Sequence, residues 1–79
     1  MRKSTHTRQY QLLLELLIAA RMAKGLSQTQ VAKKLERPQS FVAKFEGGER
    51  RLDVVELISV ARVLGADPLK IFAKVVDAS

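Results

Sequence analysis

The residues best suited to chemistry lie in one short segment, RPQSFVAKFEGGERR, at positions 37–51. Gln39, Ser40 and Lys44 carry an amide, a hydroxyl and an ammonium group, which donate or accept hydrogen bonds. Val42 and Phe45 lie three positions apart, a spacing that predicts a helix with its apolar side on a core. The opposite side is small and polar, so it suits close contact with another hydrogen-bonding surface.

Residues for covalent chemistry or metal binding are scarce. The chain has no Cys and one His, His6, near its amino terminus. Gly47 and Gly48 follow a helical run, which predicts a helix end and not a phosphate-binding loop. We therefore expect no catalytic residue, no metal site and no cofactor, and hence no enzyme. The absence of Cys suits a reducing compartment, so a cytoplasmic location is expected.

The positive charge is concentrated in the first two thirds of the chain. The net charge is +6 over 79 residues, and residues 1–51 hold 11 Lys and Arg against 4 acidic residues. Such a basic region suits a polyanion, of which nucleic acid is the commonest. The apolar run LLLELLIAA at positions 12–20 is too short to span a bilayer and contains Glu15, so no membrane partner is expected.

The chain is long enough for one small core, since 47% of its residues are hydrophobic. Residues 1–6 are predicted to form a flexible basic tail and residues 7–79 a single domain. Apolar periodicity predicts five helices and no strand, which is an all-α fold. The helices are expected at residues 7–24, 28–35 and 38–46, then between Asp53 and Gly65, and from Pro68 onward.

Helix starts and core positions follow from the same pattern. Ser27 with Gln30, and Asp53 with Glu56, have the spacing of capping boxes. Pro38 suits the first turn of a helix, where its missing N–H is not needed. The last two helices are expected to turn these residues toward the core: Val55, Leu57, Ile58, Ala61, Leu64, Leu69 and Phe72.

Helices two and three are joined by only a few residues, so they must cross at a steep angle. Ala32 lies at the crossing, where a small side chain allows close approach. Because Val42 and Phe45 anchor the third helix to the core, its small polar side faces outward. Such a helix fits the DNA major groove, which is about 12 Å wide.

The stretch LSQTQVAKKLERPQSFVAKFEGGERRLDVVELISVARVLGADP at positions 26–68 carries a family resemblance. It resembles the helix-turn-helix domain of the XRE family, which includes phage repressors and Cro-like proteins, over residues of about 10–68. Three pieces of the family pattern occur in register. The resemblance implies a compact five-helix, lambda-repressor-like domain that binds double-stranded DNA as a homodimer and regulates transcription, with repression favoured.

The resemblance also implies residue roles. Base reading falls to Gln39, Ser40, Ala43 and Lys44, although a phosphate contact is an equal alternative for Lys44. Gln28 is expected to contact phosphate and to brace Gln39. The other phosphate contacts that the resemblance implies are Arg50 and Arg51, and the expected structural ion pair is Arg21 with Glu46. Lys33 and Arg37 are expected to contact phosphate or to be solvated, rather than to read bases.

Two positions depart from the family pattern. Glu36 stands where the family usually has Gly, in the turn between helices two and three. A left-handed conformation there costs a residue with a Cβ about 1–2 kcal/mol, so either the turn differs locally or the core offsets that cost. Gly47 replaces a residue that is often polar. Base reading is therefore expected to rest on few side chains.

A surplus of apolar residues predicts a contact surface. Leu12 and Leu16 line one flank of the first helix, and Ile71 and Val75 are expected to form a similar strip on the last, beyond the core face. We expect a homodimer with the C-terminal helix as its seam, unless the last helix covers the first within one chain. The alternative is a protein-interaction module, such as an antitoxin that neutralises a protein partner and regulates its own promoter.

Overall fold

The computed structural model of the chain describes residues 7–78. Within that range the backbone forms five helices and no strand, which confirms the predicted all-α class. The expected basic tail at residues 1–6 lies outside the described residues. None of the described helices is long and apolar enough to cross a membrane. The helices are α1 (Arg8–Ala23), α2 (Gln28–Leu35), α3 (Gln39–Glu46), α4 (Val54–Val63) and α5 (Pro68–Asp77).

Local capping sets where the helices begin. Both predicted capping boxes form: Ser27 Oγ accepts from the backbone N–H of Gln30, and Asp53 Oδ1 accepts from that of Glu56. The expectation for Pro38 is off by one position. Its backbone is extended, with ψ at 151°, so it precedes α3 and does not lie in the first helical turn.

All five helices contribute to one hydrophobic cluster, whose centre is completely enclosed. Tyr10 belongs to this cluster, and its hydroxyl accepts a hydrogen bond of 3.0 Å from the backbone N–H of Leu52. That bond fixes the loop after α3 against α1. The least exposed side chains are Leu17, Val31, Val42, Phe45 and Val60.

The predicted core face of α4 needs two corrections, the first being that Ile58 is half-buried and lies outside the core cluster. Val55 is exposed, whereas Val60 is almost fully buried. The buried side of α4 runs through Leu57, Val60, Ala61 and Leu64, at the spacing of one helical stripe. Val55 lies about 200° around the helix from Leu57, so it points to solvent.

The predicted core face of α5 was wrong. Ile71 is 7% exposed and Val75 packs against the core, while Leu69 and Phe72 are 77% and 59% exposed. The positions i and i+4 of Ile71 and Val75 face α1, and Gln9 Nε2 on α1 donates to the backbone oxygen of Val75 at 3.0 Å. Ile71 and Val75 are therefore not a surplus strip.

The apolar flank predicted on α1 is also partly covered. Leu16 is half-buried and packs against the core cluster, and Leu12 is half-buried as well. α5 packs on α1 within the same chain. This is the alternative that the sequence left open to a dimer seam on these helices. The exposed large apolar side chains among the described residues are instead Val54 and Val55 of α4, Leu69, Phe72 and Val76 of α5, and Met22 of α1.

Candidate nucleic-acid interface

The turn between α2 and α3 sets the angle at which α3 is presented. Glu36 ends α2 in the left-handed conformation, with φ of 58° and ψ of 41°. The backbone N–H of Arg37 donates to the carbonyl of Ala32 at 2.9 Å, a bond typical of a Schellman ending. Glu36 therefore adopts the left-handed conformation at the position where the family usually has Gly.

The apolar side of α3 is fixed to the core. Phe41, Val42 and Phe45 are buried, and the rings of Phe41 and Phe45 meet edge to face with centroids 5.5 Å apart. Because these side chains hold one side of α3 on the core, the opposite side faces outward. On that side Gln39, Ser40 and Lys44 are exposed and Ala43 is half-buried.

A chain of hydrogen bonds joins the exposed start of α3 to the interior. Gln39 Nε2 donates to Gln28 Oε1 at 2.9 Å, and Gln28 Nε2 donates to Glu46 Oε1 at 2.9 Å. Gln28 is thereby held between an outward side chain of α3 and the carboxylate at the end of the same helix. Its amide orientation is set from both sides.

The inner end of this chain is the ion pair of Arg21 with Glu46. Arg21 Nε donates to Glu46 Oε2 at 2.7 Å and Nη2 to Oε1 at 3.1 Å. The side chains are only 17% and 7% exposed. Arg21 Nη1 also donates to the backbone oxygen of Leu26 at 3.0 Å, which ties α1 to the loop before α2.

Two predicted phosphate contacts converge on one acidic residue. Arg50 donates to both Glu56 oxygens, Nη1 to Oε1 at 3.0 Å and Nη2 to Oε2 at 2.8 Å. Arg37 Nη1 lies 3.7 Å from the same Oε2. The Arg50 hydrogen bonds, with the bond from the Asp53 N–H, lower the pKa of Glu56 to about 2. The bond with Glu56 raises the pKa of Arg50.

The ring of Phe41 supports both guanidinium groups. The Cζ atom of Arg37 lies 4.0 Å from the ring centroid and that of Arg50 lies 4.8 Å from it, both within cation–π range. We call Arg37, Phe41, Arg50 and Glu56 the arginine cluster. Sequence reasoning missed it, because Glu56 was read only as a helix cap and no periodicity links the loop residue Arg50 to α4.

The remaining predicted phosphate contacts lie apart from this cluster. Arg51 places its Cζ atom 4.4 Å from the ring centroid of Tyr10, beside α1. Lys33 is exposed on α2. The described residues contain no cluster of three or more His, Cys, Asp or Glu side chains that could hold a metal ion. The arrangement is one for binding through hydrogen bonds and positive charge.

Two short helices crossing at a tight turn, with the second presented outward, define a helix-turn-helix domain. A family model described as a helix-turn-helix domain matches residues 12–70. An XRE-family like protein from Pseudomonas syringae pv. tomato str. DC3000 has a similar structure, with a TM-score of 0.88 and 46% sequence identity over 94% of this chain and 90% of its own. No curated protein matches the chain. The chain belongs to the XRE family of helix-turn-helix domains, which are DNA-binding regulators.

Proposed function

We propose that residues 7–79 act as a single domain that binds duplex DNA sequence-specifically and represses transcription in the cytoplasm, without catalysis. The observation that carries this proposal is the braced Gln39 on the exposed side of α3. Gln39 is exposed, yet its amide is oriented by a neighbour that is itself anchored to a part-buried ion pair. An oriented amide on a helix that is packed on the core is suited to reading a base edge.

The amide of Gln39 has the groups that an adenine requires. Its Nε2 uses one hydrogen on Gln28, and its Oε1 makes no hydrogen bond within residues 7–78. The second Nε2 hydrogen and Oε1 match the N7 acceptor and the N6 donor of adenine in the major groove. We propose that Gln39 reads an adenine, with Ser40, Ala43 and Lys44 contacting neighbouring bases.

Basic side chains around α3 are proposed to contact the DNA backbone. Phosphate contacts supply affinity for any sequence and fix the orientation of the reading helix. Exposed Lys33 is available for such a contact. The proposed contacts are the basic residues Lys33, Arg37, Arg50 and Arg51, together with the neutral amide of Gln28.

The protein is proposed to bind as a homodimer, because one such domain reads only a few base pairs. Two half-sites one helical turn apart, about 34 Å, need two copies of α3 on one side of the assembly. The seam is placed on the exposed apolar side chains of Val54, Leu69 and Phe72, since apolar surface of this kind marks contact sites.

A second candidate function rests on the same apolar surface. A module that binds a different protein, such as an antitoxin, would use Val54, Leu69 and Phe72 for that partner. Both readings keep DNA binding through α3. Mass measurement of the purified protein separates them, because only the homodimer doubles its mass without an added partner.

Selection of bound sequences from a random duplex pool tests the function directly. We expect enrichment of an inverted repeat whose half-sites are centred about one helical turn apart. Each half-site is expected to contain an adenine at the position that Gln39 contacts. A pool that shows no sequence enrichment after repeated rounds, despite retained protein fold, would contradict the proposal.

A further inference from the structure

One carboxylate in this domain holds two arginines that are proposed to face the DNA backbone. Glu56 accepts two hydrogen bonds from Arg50 and lies 3.7 Å from Arg37. The end-on edge of the Arg50 guanidinium, formed by Nη1 and Nη2, is therefore occupied by an anion of this chain. A phosphate uses the same bidentate geometry on arginine as a carboxylate does.

Other contacts also restrain Arg50. Its Nη1 makes a further hydrogen bond of 3.0 Å to the backbone oxygen of Arg51, and its guanidinium lies over Phe41. Within residues 7–78 only the Nε–H and one Nη2 hydrogen remain unused. A DNA phosphate must take these two donors beside the carboxylate, or displace Glu56 from the end-on edge.

The capping role of Glu56 does not explain why this residue is charged. Glu56 Oε1 accepts from the backbone N–H of Asp53 at 3.0 Å, as a capping-box residue does. Gln30 makes the equivalent bond to Ser27 at 2.8 Å in α2 with a neutral amide. Either residue type serves the cap, so the cap alone does not require a charge, and Glu56 places its carboxylate against the two arginines.

We propose that Glu56 limits the affinity of this domain for DNA of any sequence, by competing with backbone phosphate for Arg50 and Arg37. The inference rests on the proposed DNA binding through α3. Glu56 leaves base reading to α3. It lowers the sequence-independent part of the affinity, against which base reading must discriminate.

Two variants with the same change in net charge test this role. Glu56→Gln keeps an acceptor for the cap but releases the arginines, and Asp53→Asn keeps a good cap at the helix start while Glu56 stays in place. We expect Glu56→Gln to bind a random duplex about threefold to tenfold more tightly than Asp53→Asn does at low salt. Its plot of log affinity against log salt should be steeper by about 1–2.

The same pair in an Arg37→Gln, Arg50→Gln background completes the experiment. There Glu56→Gln and Asp53→Asn should change the affinity equally, because the arginines that Glu56 restrains are gone. Equal effects of the two substitutions in the wild-type background would overturn the inference while leaving DNA binding intact. Absence of salt-dependent DNA binding by the wild type would instead contradict the proposed function, and this inference with it.

A second measurement uses the same two variants. Proton–nitrogen NMR resolves the side-chain Nε–H groups of arginines in a protein of this size. Because Glu56 competes with phosphate for Arg37 and Arg50, a given amount of random duplex should shift their Nε–H signals further in Glu56→Gln than in Asp53→Asn. Equal shifts of both signals in the two variants would overturn the competition.

Discussion

At the scale of single residues, one of the two arginine–glutamate pairs beside α3 was predicted from the sequence and the other was not. The pairing of Arg21 with Glu46 followed from the family resemblance, and their helical phases agreed with it. The pairing of Arg50 with Glu56 was not predicted, because it joins a loop to a helix and leaves no periodic signal. Side-chain pairs across loops depend on the folded path of the chain.

Removal of Arg21 should destabilise the protein strongly. Arg21→Met leaves the Glu46 carboxylate, which is 7% exposed, without its countercharge. The loss of one partner from such a pair costs about 3–5 kcal/mol. Since about 1 kcal/mol shifts the melting temperature of a domain this size by about 4–8 °C, a fall of more than 10 °C is expected.

Thermal unfolding followed by circular dichroism provides the measurement. Arg62→Met on exposed α4 surface is the matched control, because it removes the same charge where the described residues offer no ion pair. A melting temperature for Arg21→Met within a degree or two of that control would mean that the pair contributes nothing to stability.

At the scale of elements, periodicity and capping predicted all five helices. They did not predict the buried faces of α4 and α5 correctly. α5 carries apolar side chains at positions 69, 71, 72, 75 and 76, so two different stripes fit a helix equally well. The position of α1 decides between them, because it lies against Ile71 and Val75. A tertiary contact of this kind is not encoded in the local pattern.

Two substitutions should distinguish the buried face of α5 from its exposed face. Ile71→Ala removes a buried side chain and should lower the free energy of unfolding by about 2–5 kcal/mol. Leu69→Ala shortens a side chain that is 77% exposed and should change it by less than about 0.5 kcal/mol. Urea unfolding of both variants measures this, and an equal loss in the two would contradict the placement of α5.

At the scale of the whole molecule, the charged and the apolar surfaces suggest separate tasks. The polar side of α3 and the arginine cluster serve the proposed DNA contact. Val54, Leu57 and Phe72 line one groove together with side chains of α1 and of the loop before α4, with Arg51 at its border, and Leu69 is exposed on α5. A seam in this second region would leave α3 free in each copy of a dimer.

Substitution of Phe72 should disrupt the proposed dimer. Phe72→Glu places a charge on the apolar seam, so light scattering at micromolar concentration should give the monomer mass, against twice that mass for the wild type. Met22→Glu, on an exposed apolar residue of α1, is the control and should stay dimeric. A monomeric wild type would contradict the homodimer. A dimeric Phe72→Glu would show that the seam does not include Phe72.

The measurement that tests base reading by α3 most directly compares Gln39→Ala with Lys33→Ala on a selected duplex and on a random one. Gln39→Ala should lose about 1–3 kcal/mol of discrimination at one base pair while its affinity for random DNA stays unchanged. Lys33→Ala should weaken binding to both duplexes alike, because a phosphate contact carries no sequence information. Equal weakening on both duplexes by Gln39→Ala would contradict base reading by α3.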